Sequence, residues 1–305
     1  MKSNVKQSNR EAAFTIVELL TVMSIIVILI GLLVPALNQV KRYAYEVKQR
    51  AQLKSIDTAI ELFNSEFDGY PDSGRFDPDG VEEYCGAMKL CEAVMGRDLM
   101  GFHPDSIFRS NGMGSLNNNL YPPQSDPSYN NSLSARKGPY LPLDNANAYQ
   151  LRDLYQEIGP FAGENFVLCD VFRRVTHRQS GKKVGMPILY YKANTSKTQH
   201  DFMNPRNSQN IYDYRDNQEL VLLGKPFDPP PDGTAHRLAI EPPQQPGYRF
   251  YMNTTNDKVL MSSTAAVRPY RADTFILISA GNDGEYGTPD DITNFDWRFR
   301  EQPLQ

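Results

Sequence analysis

The apolar positions of this chain are concentrated at its start. Residues 1–13 (MKSNVKQSNREAA) are polar, with Lys2, Lys6 and Arg10 opposed only by Glu11. A strongly apolar run, with Glu18 near its start, occupies residues 14–34. A helix of about 20 residues crosses a hydrocarbon core of roughly 30 Å, so this run is long enough to span a membrane. The positive flank is expected to stay in the cytoplasm, which places the bulk of the chain outside it. A secretory signal peptide has a shorter apolar core and a small-residue cleavage site behind it. Here the run is longer, and that pattern is missing from its far side.

Past the run, Val40, Ala44, Val47 and Ala51 recur at helical spacing, and so do Leu53, Ile56, Ile60, Phe63 and Phe67. Lys41, Arg42, Lys48, Arg50 and Lys54 occupy the other face. The pattern predicts an amphipathic helix over 36–67 that lays its apolar stripe on a globular domain. Pro35 should interrupt the helical ladder at the end of the apolar block and kink the helix, and Gly31 lowers helix propensity nearby. Asp68-Gly69 ends the helix, and Tyr70-Pro71 begins an extended segment. Short helices are expected at 81–95 and 149–158, a long loop at 111–131, and strands at 186–192, 219–223, 248–252 and 274–279. A helix followed by strands, without βαβ alternation, predicts an α+β fold: a long N-terminal helix packed on a small antiparallel sheet with loop-rich insertions. The expected divisions are a leader (1–13), a membrane-spanning helix (14–35), an amphipathic half-helix (36–67) and an extracytoplasmic globular domain (68–305).

Composition narrows the chemistry. The 305 residues carry a formal net charge of -4, which gives no electrostatic footprint for nucleic acid. Pro (22) and Gly (20) are plentiful, which favours turns over a helical bundle. An odd count of three cysteines (Cys85, Cys91, Cys169) excludes a complete disulfide framework. They read as small buried hydrophobes, or as a Cys85–Cys91 bridge in an extracytoplasmic domain. The four histidines (His103, His177, His200, His236) are scattered, without metal-ligand spacing. No Ser/His/Asp signature, phosphate loop or dinucleotide fingerprint is present, so no enzyme activity is expected. Glu18 stands out: a carboxylate near the start of an apolar span is expensive in lipid and marks function, unless it merely snorkels to the interface.

The string Ala13-Phe14-Thr15-Ile16-Val17-Glu18-Leu19-Leu20 ahead of a long apolar helix resembles the processing site of type IV pilins and type II secretion pseudopilins. The resemblance implies cleavage between Ala13 and Phe14 by a prepilin peptidase, with methylation of the freed amine. The family usually has Gly where this chain has Ala13. Glu18 then becomes the fifth mature residue and meets the Phe14 amine of an adjacent subunit in a filament core, setting axial register. Pro35 matches a proline frequent in pilin helices, near which the helix can melt and stretch in the fibre. Further landmarks are similar, in order, to the major pseudopilin: Tyr70-Pro71, Gly138-Pro139-Tyr140-Leu141, and Gly185-Met186-Pro187-Ile188-Leu189-Tyr190-Tyr191. The family's Trp and first Pro are missing from the last of these, and Asp170 lies well upstream. Residues 71–138 and 191–273 look like insertions. The partners implied are other pilin or pseudopilin subunits, prepilin peptidase and an inner-membrane assembly platform. The alternative is a single-span anchored binding module that does not polymerise.

The segment Ile278-Ser279-Ala280-Gly281-Asn282-Asp283-Gly284-Glu285-Tyr286-Gly287-Thr288-Pro289-Asp290-Asp291-Ile292 combines glycines with spaced carboxylates. Calcium takes about six to eight oxygens from carboxylates and carbonyls, which such a loop supplies, although the spacing is not an EF-hand. The bland reading is a polar turn with Asp residues capping nearby amides. The resemblance adds that the major pseudopilin ends in a loop of this type that binds structural calcium. Asp283 and Asp291 match its side-chain ligands best, with Asp290 next; carbonyls around Gly281 and Tyr286 are candidates that the sequence does not assign. Trp297, near the C-terminus, is expected to pack over the domain.

Overall fold

A computed structural model describes residues 16–226, 234–239, 246–256 and 267–295. Ala13, Phe14, the rest of residues 1–15 and Trp297 lie outside the described residues. The chain divides into two compact units, Met1–Ala44 and Tyr45–Gln305. Helix α1 (Ile16–Phe67) contributes to both, and it runs through Pro35 without ending. A proline forfeits its own N–H bond, while the turns on either side keep theirs. The helix stops where expected: Asp68 adopts φ 53, the left-handed conformation that closes a helix.

The stripe on α1 is shifted from its predicted place. Val40, Ala44, Val47 and Ala51 are exposed, and burial begins at Gln49. From there Leu53, Ile56, Ala59, Ile60 and Phe63 are buried, together with two amides that a hydrophobic pattern passes over. Gln49 Oε1 accepts from Val171 N (2.9 Å), and Gln52 Nε2 donates to the carbonyls of Asn145 (3.0 Å) and Cys169 (2.9 Å). Buried amides of this kind are tolerated because they satisfy backbone groups that would otherwise be stranded.

The remaining elements are short. The helices are α2 (Gly86–Met95), α3 (Tyr129–Ala135), α4 (Leu143–Ala146), α5 (Leu151–Leu154), α6 (Gln218–Leu222) and α7 (Tyr248–Thr254). The strands are β1 (Ala148–Gln150), β2 (Phe166–Leu168), β3 (Val175–Thr176), β4 (Lys183–Val184), β5 (Leu189–Lys192), β6 (Phe275–Ser279) and β7 (Ile292–Thr293). β1 pairs with β2, β3 with β4, and β5-β6-β7 form a three-stranded sheet, all antiparallel. In the three-stranded sheet Tyr190 faces Leu277 and Tyr191 faces Ile276.

That sheet is buried on both faces, and the period of two sorts its side chains. Tyr190, Phe275 and Leu277 join Leu53, Ile56 and Ile60 of α1 and Leu90 and Val94 of α2. Leu189, Tyr191, Ile276 and Ile278 join a second cluster with Tyr212, Leu220, Phe250 and Tyr251. At the end of α1, Phe63 and Phe67 each meet Phe102 edge-on at 5.0 Å. Removing the Ile60 side chain, which is wholly buried, should cost about 3 kcal/mol through lost burial and a residual cavity. Urea unfolding of Ile60→Ala measures it; a loss well under 1 kcal/mol would mean α1 is not packed on the domain.

Several expected elements change type. Residues 219–222 and 248–252 are helical (within α6 and α7), not strands. Short aromatic or aliphatic runs are ambiguous by periodicity, and packing decides them. α7 starts from Gly247, whose φ of 88 suits only a residue without a side chain. The helix expected at 149–158 is split into β1 and α5. The one expected at 81–95 begins only at Gly86, leaving Val81 exposed. The loop expected at 111–131 is irregular until α3 takes over at Tyr129.

The stretch 71–138 supplies part of the core, since every residue of α2 is buried. Its entry is capped from far away: Asn217 accepts from Ala87 N (2.8 Å) and donates to Tyr190 O (2.7 Å). A Cβ on Gly86 would stand 2.3 Å from that same Tyr190 carbonyl, so the close approach needs glycine. The buried Lys89 ammonium is fully engaged by Asp72 (2.5 Å) and the carbonyls of Gly74 (2.8 Å) and Phe76 (2.7 Å). All three cysteines are free and buried, which matches the reading as small core residues rather than a Cys85–Cys91 bridge.

Candidate functional site

Two regions hold the residues singled out by sequence. The first is the N-terminal part of α1. From Ile16 to Ala44 every residue is exposed. An 18-residue window there has a mean hydropathy of 2.8, with none of it buried. Among the described residues this is the one helix long and apolar enough to cross a membrane. The same properties suit an anchor or a signal sequence. Its few polar groups are contained: Thr21 Oγ1 donates to Glu18 O (2.9 Å) and Ser24 Oγ to Thr21 O (2.8 Å), as suits hydroxyls in an apolar setting. Glu18 sits in the first turn of α1.

The second region is the loop between β6 and β7. Register brings Ser279 opposite Ile292, so the residues between them form a closed excursion. Gly281 has φ +66, and a Cβ there would lie 2.2 Å from Asp290 O, so the two limbs touch backbone to backbone. The three aspartates predicted from sequence are brought together. Asp283 N donates to Asp290 Oδ2 (3.0 Å), and Glu285 N to Asp283 Oδ1 (2.8 Å). Thr288 Oγ1 donates to Asp290 Oδ1 (2.7 Å), and Gly287 N to Asp291 Oδ2 (2.8 Å). The other oxygen of Asp291, Oδ1, is buried and has no hydrogen-bond partner.

The carboxylates of this cluster push one another up, while the groups that donate hydrogen bonds to them pull the other way. Burial, with the Asp290 carboxyl adding to it, pushes Asp283 up to about 6. Burial holds Asp291 well above the usual carboxylate range, and the charges of Asp283 and Asp290 push the same way. The carbonyls expected to assist are already in use: Gly281 O accepts from Gly284 N (3.3 Å) and Tyr286 O from Leu238 N (2.9 Å). Among the described residues, no three Asp, Glu, His or Cys side chains stand as a ready-made metal-binding group.

Sequence reasoning missed the residues that hold this loop from outside. Glu285 is held by Lys225 Nζ (3.1 Å) and by Arg237 N (3.1 Å). His236 accepts from Tyr286 N at Nδ1 (3.2 Å) and faces Gly224 O with Nε2 (3.1 Å), which fixes the neutral tautomer with its proton on Nε2. Burial pushes this imidazole down to about 3, so it stays neutral. These contacts join segments about 50–60 residues apart, and short-range spacing carries no trace of them.

No protein-family model, curated protein or solved structure matches this chain.

Proposed function

We propose that this chain is a structural filament subunit of the type IV pilin and type II secretion pseudopilin class. In this reading α1 anchors the chain in the inner membrane with its start in the cytoplasm and its globular domain outside. The observation that carries the reading is Glu18, a carboxylate in the first turn of an apolar helix whose first 29 described residues, Ile16 to Ala44, are all exposed. A plain anchor has no use for that carboxylate, whereas a polymer needs a polar device to fix register among greasy helices. The exposed residues Val40, Ala44 and Val47 give the same support, since they leave a stripe uncovered beyond the apolar run. Mass spectrometry of the native N-terminus tests the class. A chain beginning at methylated Phe14 supports it. A chain beginning at Met1, found only as a monomer, makes this a tethered binding module instead.

Within the same reading, the Asp283, Asp290 and Asp291 cluster is a structural calcium site. The buried, partnerless Asp291 Oδ1 and the mutual repulsion of the three carboxylates fit a divalent cation. Bound calcium would add positive charge beside the carboxylates. The protein's part is to hold the carboxylates near one another, where a cation can displace their protons. The folded-state pKa of Asp283 lies above its ordinary value, so the proton stays on below pH about 6 and the cation must displace it. Calcium affinity should therefore fall as pH drops through about 6, where Asp283 takes up its proton, and the raised Asp291 adds to the loss. Calorimetric titration across pH 5–8 reads it; a flat profile removes Asp283 from the ligand set.

A further inference from the structure

We infer that Asp170 and Arg174, more than a hundred residues upstream of the acidic loop, present that loop for cation binding; this role rests on the calcium reading above. Asp170 follows β2 and is 2% exposed. Its backbone and one carboxyl oxygen are fixed by neighbours: Asp170 N donates to Met186 O (2.8 Å), while Oδ1 accepts from Phe172 N (3.1 Å) and Met186 N (3.2 Å). The approach of residue 185 needs glycine, because a Cβ there would lie 1.9 Å from Asp170 O and 2.3 Å from its Oδ1.

The second oxygen turns toward the strand that leads into the acidic loop. Oδ2 accepts from Ser279 Oγ (3.1 Å), at the last residue of β6. Ser279 Oγ in turn accepts from Gly281 N (3.4 Å). A relay thus runs from Asp170 through Ser279 to the first turn of the loop, where Gly281 packs on Asp290. Four residues after Asp170, Arg174 Nε donates to Asn282 O. The limb 279–282 is held at both ends by one short segment, and the next residue, Asp283, donates its N–H to Asp290. Asp170 is no ligand, since its oxygens are turned to other donors. It is a positioning residue that orders the limb before a cation arrives, so that binding is not charged with ordering it.

The test uses the full chain in detergent with Ser279→Ala, which removes the relay but leaves both amide bonds to Asp170, and separately Arg174→Gln. In chelator, hydrogen exchange at the Asp283 and Gly287 amides should quicken about tenfold in each variant. Calcium Kd by calorimetry should weaken about tenfold, within the range for residues that orient metal ligands. Ser279→Thr, which keeps the hydroxyl, should restore both readouts. Wild-type exchange and wild-type Kd in both variants would overturn the presenting role alone. A wild-type chain with no binding heat would overturn the calcium reading and the presenting role together.

Discussion

Glu18→Ala should leave the chain in the membrane and reduce its polymerisation by more than about a hundredfold. The two effects have opposite physical origins. Insertion is governed by the apolar length of α1, and deleting a carboxylate from it only lowers the cost of entering lipid. Assembly brings the apolar segments of neighbouring subunits together away from water. There a carboxylate persists only when a cation meets it, and removing one member of a buried pair destabilises by about 3–5 kcal/mol, which is a factor of a hundred or more in association. The partner implied by the resemblance is the freed amine of Phe14 on an adjacent subunit. Membrane fractionation reports the first effect, and crosslinking together with electron microscopy of sheared filaments reports the second. Filaments at wild-type yield in Glu18→Ala would remove the central claim, even if the N-terminus proved to be processed. Loss from the membrane fraction would show instead that the variant fails before assembly begins.

How far the fold could be read in advance depended on the range of the interaction involved. Leu53, Ile56, Ile60 and Phe63 were legible because a helix repeats every 3.6 residues and a buried stripe repeats with it. Asp68-Gly69 was legible because a left-handed residue ends a helix locally. The strands near 189–192 and 275–279 were legible because their β-branched and aromatic runs sit in a sheet that buries both faces. The helices α6 and α7 were not, since runs of five to seven residues carry too little period to distinguish helix from strand. Gln49 and Gln52 look like surface residues until their backbone partners at Val171, Asn145 and Cys169 are in view. The acidic loop divides the same way. Its three aspartates and its glycines were visible as a local motif. The groups that hold it (Asp170, Arg174, Lys225 and His236) come from distant segments.

The other large effect is a change of sign at Asp291. In chelator, Asp291→Asn should melt above wild type at neutral pH, and in saturating calcium it should melt below. Without a cation, Asp291 holds an oxygen that is buried and has no partner, beside the charges of Asp283 and Asp290. Asparagine keeps an acceptor for Gly287 N and replaces the partnerless oxygen with a neutral NH₂ group, which is less costly to strand than a charge. The advantage should fade on acidification. The folded-state pKa of Asp291 is raised, so wild type takes up a proton as pH falls and sheds the same repulsion. With calcium bound, the carboxylate becomes a ligand, and ligand-linked stabilisation amounts to about 2.7 kcal/mol at a hundred times Kd. A variant that has lost the site forgoes that stabilisation, and for a domain of this size each kcal/mol moves the melting temperature by about 2–4 °C. Paired melts of both proteins, in chelator and in calcium, decide the matter. A variant that melts higher in both conditions would mean Asp291 is a strained turn residue with no cation to hold. One that melts lower in both would mean its bond to Gly287 outweighs the buried charge.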